Sequence, residues 1–445
     1  MTKSKNYRKR LTATLWFLPM LFAVCGVFLA FVLVEIDRSI GERLGYFPRF
    51  FGVEPSGAGN VLAIIAGSTI TVAGTVYSIT IVALTLASTQ FSPRILRNFM
   101  RDTGNQVVLG VLVGIFAYCI IVLRTIRSGG EDAENFVPSI AVVVGVGLGL
   151  LGVGFLIYFI HHVATEIQAT SIISSIARET IFEIKTNYQA TDAPPFDAGS
   201  ADFPPPSAWV KIPSLETGYI QNADTEALQM LAQKHDLIVK MRRRVGEFTI
   251  TDLPLLQIAP KNAAALTIDK NLIEKFNAAY DVGNFRTVEG DIAFGLRQIV
   301  DIALKALSPA INDSTTGVTC IDYLTAILVE LAKRPSCPAF IFDRSGTARV
   351  AVNPQKFEDF FDLAFNQIRQ SAKGNVAVIL RLLTAIEVLS AVNKNLKNET
   401  ERGERFELFC EKTQMLEELA RETITIEKDL QNVLRVHERV SASLC

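Results

Sequence analysis

Four stretches of this chain carry no ionisable residue over lengths that water does not tolerate in the open. Leu11 to Val34, Pro55 to Pro93, Thr103 to Leu123 and Asn135 to Ile160 contain no Asp, Glu, Lys, Arg or His. A hydrocarbon layer about 30 Å thick is crossed by roughly 20 helical residues, and a helix satisfies its backbone hydrogen bonds internally. Each run meets that length, so four transmembrane helices are predicted.

Charge placement orients them. Lys3, Lys5, Arg8, Lys9 and Arg10 precede the first run, which keeps the N-terminus in the cytoplasm. A basic start before an apolar run also opens signal peptides. This run outlasts the roughly 7–15 residues of their apolar region and no A-x-A site closes it, so it reads as an uncleaved anchor. The second loop carries Arg94, Arg97 and Arg101 against Asp102, as a cytoplasmic loop should. The third offsets Arg124 and Arg127 with Glu131, Asp132 and Glu134, while Arg38, Arg43 and Arg49 leave the first ambiguous. Everything after Ile160 is then cytoplasmic.

That remainder is long enough to bury its own core. It explains why a chain with positive mean hydropathy, +0.29, still has 20% charged residues. Ile167, Ile172, Ile176 and Ile181 recur at helical spacing, which extends the fourth span as one helix from His161 through Ile184. Asp192 to Ser207 is rich in proline and small residues and reads as a linker. AWVKIPS and GYIQNAD read as strands, TEALQMLAQKHD as a helix, and LIVKMRRRVGEFTITDLPLLQI as two strands around Val245-Gly246. Beyond Lys270 the pattern turns helical, near 289–307, 314–333, 355–371, 375–395 and 400–440. A hairpin around Ser345-Gly346 interrupts it. The fold class is membrane α-helical: four transmembrane helices in residues 1–160, then a large cytoplasmic α+β tail that is mostly helical. The tail divides into a membrane-proximal helix and Pro-rich linker (161–207), a small mixed α/β module (208–265) and a helical domain (266–445).

Several chemistries are excluded or weakened. A net charge of -1 lacks the basic footprint of a nucleic-acid binder. Six cysteines without a C-x-x-C pair imply neither a disulfide framework nor a zinc site. Gly147 to Gly152 matches G-x-G-x-x-G, yet it sits inside an apolar run where Gly145 and Gly149, like Gly110 and Gly114, space small residues for helix contact. No G-x-x-x-x-G-K-[ST] occurs, so an ATP-driven pump is not expected. His161, His162 and Glu166 share a helix face, but no second cluster completes a metal shell. Arg242-Arg243-Arg244 reads as a solvated strand edge, or as a weak membrane contact. No nucleophile–base pair points to an enzyme, and neither cofactor nor metal is implied.

The densest polar segment of the tail is SPAINDSTTG, Ser308 to Gly317. Pro309 ends one helix, and Asp313 or Ser314 caps the next. The functional alternative is a ligand or subunit contact formed by Asn312, Asp313, Ser314 and Thr315 with Arg297 and Asp301. Both readings remain open at this stage. TQFSPR (Thr89 to Arg94) and RQIVDIALKALSPAIND (Arg297 to Asp313), set on four spans and a large tail, resemble a bacterial predicted-membrane-protein family catalogued as domain of unknown function 2254. The resemblance covers nearly the whole chain. It implies a bacterial inner-membrane protein of this architecture and supplies no reaction.

Within the second run, Ser68, Thr71, Thr75, Ser78, Thr85 and Thr89 keep a 3.5-residue rhythm on one side of a helix, with Val82 in the one missing place. Such a seam packs helices closely, or lines a pore when several copies surround it. Ion-coupled transporters usually keep an ionisable group at membrane depth, and these runs have none. The expectation is an oligomeric channel with a regulatory tail, its partners being the lipid bilayer, further copies of itself and an unspecified ion or small solute. The alternative is a membrane-anchored sensor or scaffold without transport. Both termini are expected in the cytoplasm, with only the loops near 35–54 and 124–136 outside. A C-terminal phosphatase reporter should therefore stay inactive in cells, and an active one would reverse the orientation.

Overall fold

The structure, a computed structural model, describes residues 16–40, 54–95, 102–127, 136–187, 204–262, 268–334 and 339–444. The basic residues ahead of Trp16, Arg43, Arg49, Arg97, Arg101, the acidic residues between 131 and 134, Cys337, Cys445 and most of the linker lie outside these ranges.

Long apolar helices build the first of two compact units, which ends at Ser171. They are α1 (Phe17–Ile40), α2 (Pro55–Gln90), α3 (Thr103–Thr125) and α4 (Ser139–Glu166). The central helix is α3, which packs against the other three. Its backbone comes so close to α1 that a Cβ on Gly26 would lie 2.3 Å from the Gly114 carbonyl oxygen, so only glycine fits there. Gly110 and Gly114 thus serve helix contact. The G-x-G-x-x-G run lies wholly inside α4, where a Cβ on Gly149 or Gly152 would press on Ile65 or Ile115 at 3.2 Å. The run is packing surface with no phosphate loop.

The first span differs from its apolar limits. Helix α1 continues through Glu35, Asp37 and Arg38 to Ile40, so Arg38 belongs to the helix. The reason is visible at the start of α4, where the N-cap residue is Pro138 and has no side-chain acceptor. Asp37, 3% exposed, fills that role by accepting the N–H groups of Ile140 (3.0 Å) and Ala141 (2.9 Å). The Tyr118 hydroxyl of α3 donates to the Ala141 carbonyl at 2.7 Å. One turn of α4 is therefore tied to both α1 and α3.

The second unit begins at Ile172. Helix α4 does not run on through Ile184. It stops at Glu166, and α5 spans Ala169–Asn187. At the stop, the Thr165 hydroxyl bonds the carbonyls of His161 and His162, a local competition that weakens a helical ladder. Strands β1 (Val210–Pro213) and β2 (Gly218–Ala223), helix α6 (Thr225–Lys234) and strand β3 (Leu237–Met241) follow. The segment read as two strands gives three: β3, then β4 (Phe248–Thr249) and β5 (Pro254–Pro260). Helix α7 (Lys270–Asn277) and strand β6 (Tyr280–Gly283), which pairs with β2, lie in the region read as helical.

Helices α8 (Ile292–Ala306) and α9 (Ser314–Ala332), the hairpin β7 (Phe340–Phe342) and β8 (Ala348–Ala351), and α10 (Phe357–Ser371) and α11 (Val376–Asn393) complete most of the tail. The helix expected near 400–440 is two, α12 (Glu399–Thr423) and α13 (Glu427–Leu444). They break at the β-branched run Thr423 to Ile426, where Ile424 is extended, as such residues disfavour helix. The hairpin does not stand alone. The five-stranded sheet has the order β1-β5-β3-β8-β7, with β3 and β8 parallel, so one sheet joins the mixed module to the hairpin across the 265/266 boundary. Strands β4, β2 and β6 form a second sheet.

The chain is mostly helical, and among the described residues six helices are long and apolar enough to cross a membrane: α1 to α4, and α9 and α11 of the tail. Removing the carboxylate that caps α4 leaves two N–H groups without their partner. Asp37→Ala is therefore expected to cost about 1–3 kcal/mol, read as a lower thermal unfolding midpoint in detergent. Asp37→Asn, which keeps one acceptor, should lose less.

Candidate functional site

Helix α2 has two unlike sides. Ala58, Leu62, Ala66, Thr69, Ala73, Val76, Ala83 and Ala87 are buried and face the other helices of the unit. At 100° per residue the hydroxyl seam lies on the opposite side. Ser68, Thr71, Thr75, Ser78, Thr85 and Thr89 are all exposed, so among the described residues the seam does not pack the other helices of its unit. A Cβ on Gly67 or Gly74, on the same side, would meet nothing within 4 Å. Five of the six hydroxyls donate to the carbonyl four residues back, from Thr71 to Gly67 at 2.8 Å to Thr75 to Thr71 at 3.2 Å. Ser68 also borders an apolar groove of about 300 Å³ beside Ile65, Val72, Gly149, Leu150 and Val153. The arrangement offers small side chains and hydroxyl oxygens along a helix of 36 residues, about 54 Å long.

A histidine–carboxylate pair joins the ends of α3 and α4. Asp102 caps α3 by accepting the Gly104 N–H at 2.9 Å, and its other oxygen lies 2.7 Å from His162 Nε2. Tyr158 stacks on the His162 ring. His162 thus docks one helix on another, His161 is exposed, and no metal-type cluster occurs among the described residues. Sequence reasoning grouped His162 with Glu166, its neighbour in the chain. The true partner lies 60 residues upstream and carries no local signal.

In the tail, the polar turn separates into two groups. Arg297 pairs with Asp301 at 3.0 Å and donates to Gln367 of α10 at 2.6 Å. Asp313 caps α9, accepting the Thr316 N–H at 3.0 Å and its hydroxyl at 2.6 Å. These bonds hold its carboxyl below the usual carboxylate range, the Thr316 hydroxyl first. Asn312 takes the left-handed backbone conformation (φ 51°) that closes the turn, while Asn375 donates to Ser314 at 2.6 Å and Thr315 is exposed. The cap is real, and Arg297 and Asp301 serve another contact.

Two buried ion pairs went unread in the sequence. Arg286 forks onto Asp291 at 2.8 and 2.9 Å, and Asp291, 4% exposed, also caps α8 through the Phe294 N–H. Burial pushes the Asp291 carboxyl up, against the pull of Arg286. In the β7–β8 hairpin Asp343 accepts the N–H groups of Ser345 and Thr347 and meets Arg349 at 2.8 Å. The Ser345 hydroxyl, then Arg349, hold its carboxyl well below the usual range. The D-x-S-G spacing of a tight turn was the available signal.

A family model described as "Predicted membrane protein (DUF2254)" matches residues 12–388. The chain belongs to this family. Similar proteins include the uncharacterized protein Mb1321c of Mycobacterium bovis and the uncharacterized protein Rv1290c of Mycobacterium tuberculosis. Each is 30% identical over 405 residues, 90% of this chain and 76% of the relative. No solved structure matches it.

The capping carboxylates give the tail a pH dependence with a definite sign. Asp313 and Asp343 are both lowered from an ordinary value near 4. Their stabilisation is complete above that value and is lost as pH falls through the lowered ones. Unfolding of the full chain should show a stability plateau near neutrality and a decline below about pH 4, with a shallower decline in Asp343→Asn. Asp313→Ala should cost about 0.5–2 kcal/mol at neutral pH, and unchanged stability there would remove its capping role.

Proposed function

We propose that this protein is an inner-membrane channel, assembled from several copies, in which α2 lines the path and the tail regulates it. The reading takes α1 to α4 as the membrane spans, with both termini in the cytoplasm. What supports it is the outward position of the hydroxyl seam. A face left uncovered by the described residues of its own unit, with small residues at 3.5-residue spacing, suits close packing of a second copy and supplies neutral oxygens to a passing ion or solute. The apolar groove beside Ser68 gives a neighbouring helix somewhere to seat its side chains. The one acidic group buried in α1, Asp37, is engaged with backbone N–H groups, which suits passive flow better than a titrating transport cycle.

One observation favours the second reading, a sensor or scaffold without transport. Five of the six seam hydroxyls already donate to their own helix, so the same face also tolerates lipid. Cysteine substitution at Thr71, Thr75, Ser78 and Thr85, in protein whose native cysteines are replaced, separates the two. In liposomes the channel reading expects modification by water-soluble thiol reagents at all four positions and a change in ion flux. Monomeric protein that carries no flux of any common ion would leave the scaffold.

A further inference from the structure

Strands β3 and β8 form the one parallel pair of the five-stranded sheet, and beyond their carboxyl ends lies an open, polar cleft of about 460 Å³. It is lined by Lys240, Met241, Arg242, Ala351, Val352 and Asn353. In open sheets containing parallel strands, crevices outside the carboxyl ends are where ligands settle, because the chains leave the two strands for different places. That condition holds here: β3 leads to β4 and β5, while β8 leads to α10.

The register explains the lining. Lys240 is aligned with Ala351, so their side chains share one face of the sheet. With a period of two, Arg242 and Asn353 continue along that face. Backbone bonds extend both strands past their ends, from Arg242 N–H to Leu255 O at 3.2 Å and from Val352 N–H to Ala339 O at 2.8 Å. The small Ala351 leaves the space that a larger residue would fill. On the other face Leu237, Val239 and Met241 enter the core with Leu228 and Ala232 of α6.

The charges in this cleft are unusual for the molecule. Arg243 and Arg244, next in the chain, both engage Glu247, at 3.7 and 3.1 Å. Lys240 and Arg242 are exposed, and among the described residues no hydrogen bond or ion pair engages either side chain. The Asn353 amide is likewise unengaged among them. Two cations and an amide therefore line one cleft, whose volume falls within the roughly 300–1,000 Å³ of small-molecule sites.

The geometry points to a binding site for a phosphorylated small molecule, its phosphate held by Lys240 and Arg242, with the Asn353 amide beside them. A phosphate offers several charged oxygens to two cations at once, where a single carboxylate offers fewer. The site stands independently of whether the membrane unit conducts.

The test is isothermal titration of the full chain in neutral detergent with pyrophosphate, with ATP and, separately, with a short-chain phosphatidylglycerol. At least one probe should bind. Lys240→Gln combined with Arg242→Gln should weaken it about a hundredfold, tenfold for each charge-assisted contact removed. Arg243→Gln, at a cation already paired with Glu247, should bind as the native chain does. Should the double variant fold poorly, Asn353→Asp, which places a negative charge in the cleft, should weaken binding by about tenfold or more. Binding of pyrophosphate or ATP assigns a soluble ligand, and binding of the lipid alone assigns a headgroup. Affinity that survives in the variants, or no binding of any probe, overturns the site.

Discussion

The Asp37 carboxylate holds the first turn of α4, and the four-helix unit depends on that contact. A helix beginning at Pro138 has free N–H groups and no local side chain to receive them, and in an apolar setting each such group is costly. The acceptor comes from α1, which must run beyond its uncharged segment to deliver it. Its path is constrained again at Gly26, where it nearly touches the backbone of α3. Tyr118 of α3 closes the arrangement on the same turn of α4. Three helices are thus fixed by one carboxylate, one phenol and one pair of glycines, and α2 packs on what they build.

This frame explains the two sides of α2. Alanines on the inner side let it lie close to α3 and α4, with Leu62 filling the space that Gly145 leaves. On the outer side nothing among the described residues of the unit demands small residues. Leucine would suit lipid at less helix-propensity cost than a row of threonines and serines. Packing within the unit therefore accounts for the alanines of the inner side and leaves the small hydroxyl residues of the outer side without a structural explanation.

Much of the fold was legible because its signals are local. Uncharged length marks α1 to α4, a Gly-containing turn marks the β7–β8 hairpin, and Asp313 before Ser314 is what a helix cap demands. The misreadings share a cause. Asp37 looked like a loop residue because its role is set by Ala141, over 100 residues away. Strand β6 is four residues long and exists through its pairing with β2. Asp102 and His162 meet only once α3 and α4 pack. Period counting finds the faces of one element, while long-range pairs depend on geometry that no spacing encodes. The seam shows the same limit, since its rhythm was plain but the side it faces was not.

Helices α9 and α11 are apolar over the length of a span and pack inside the second unit. Both would pass on hydropathy, yet each is an interior member of a bundle. Helix α11 packs against α9, α10, α12 and α13, and a helix surrounded on several sides is apolar on several sides. Its neighbours α10 and α13 are strongly amphipathic in sequence: in α13, Val433, Val440 and Leu444 are buried while Glu427 and Lys428 are exposed. Halfway along, Arg381 of α11 forks onto Asp322 of α9, with Nη2 at 2.6 Å from the second oxygen. Both residues of that pair keep about 40% of their side-chain surface exposed, an arrangement suited to water and expensive in hydrocarbon.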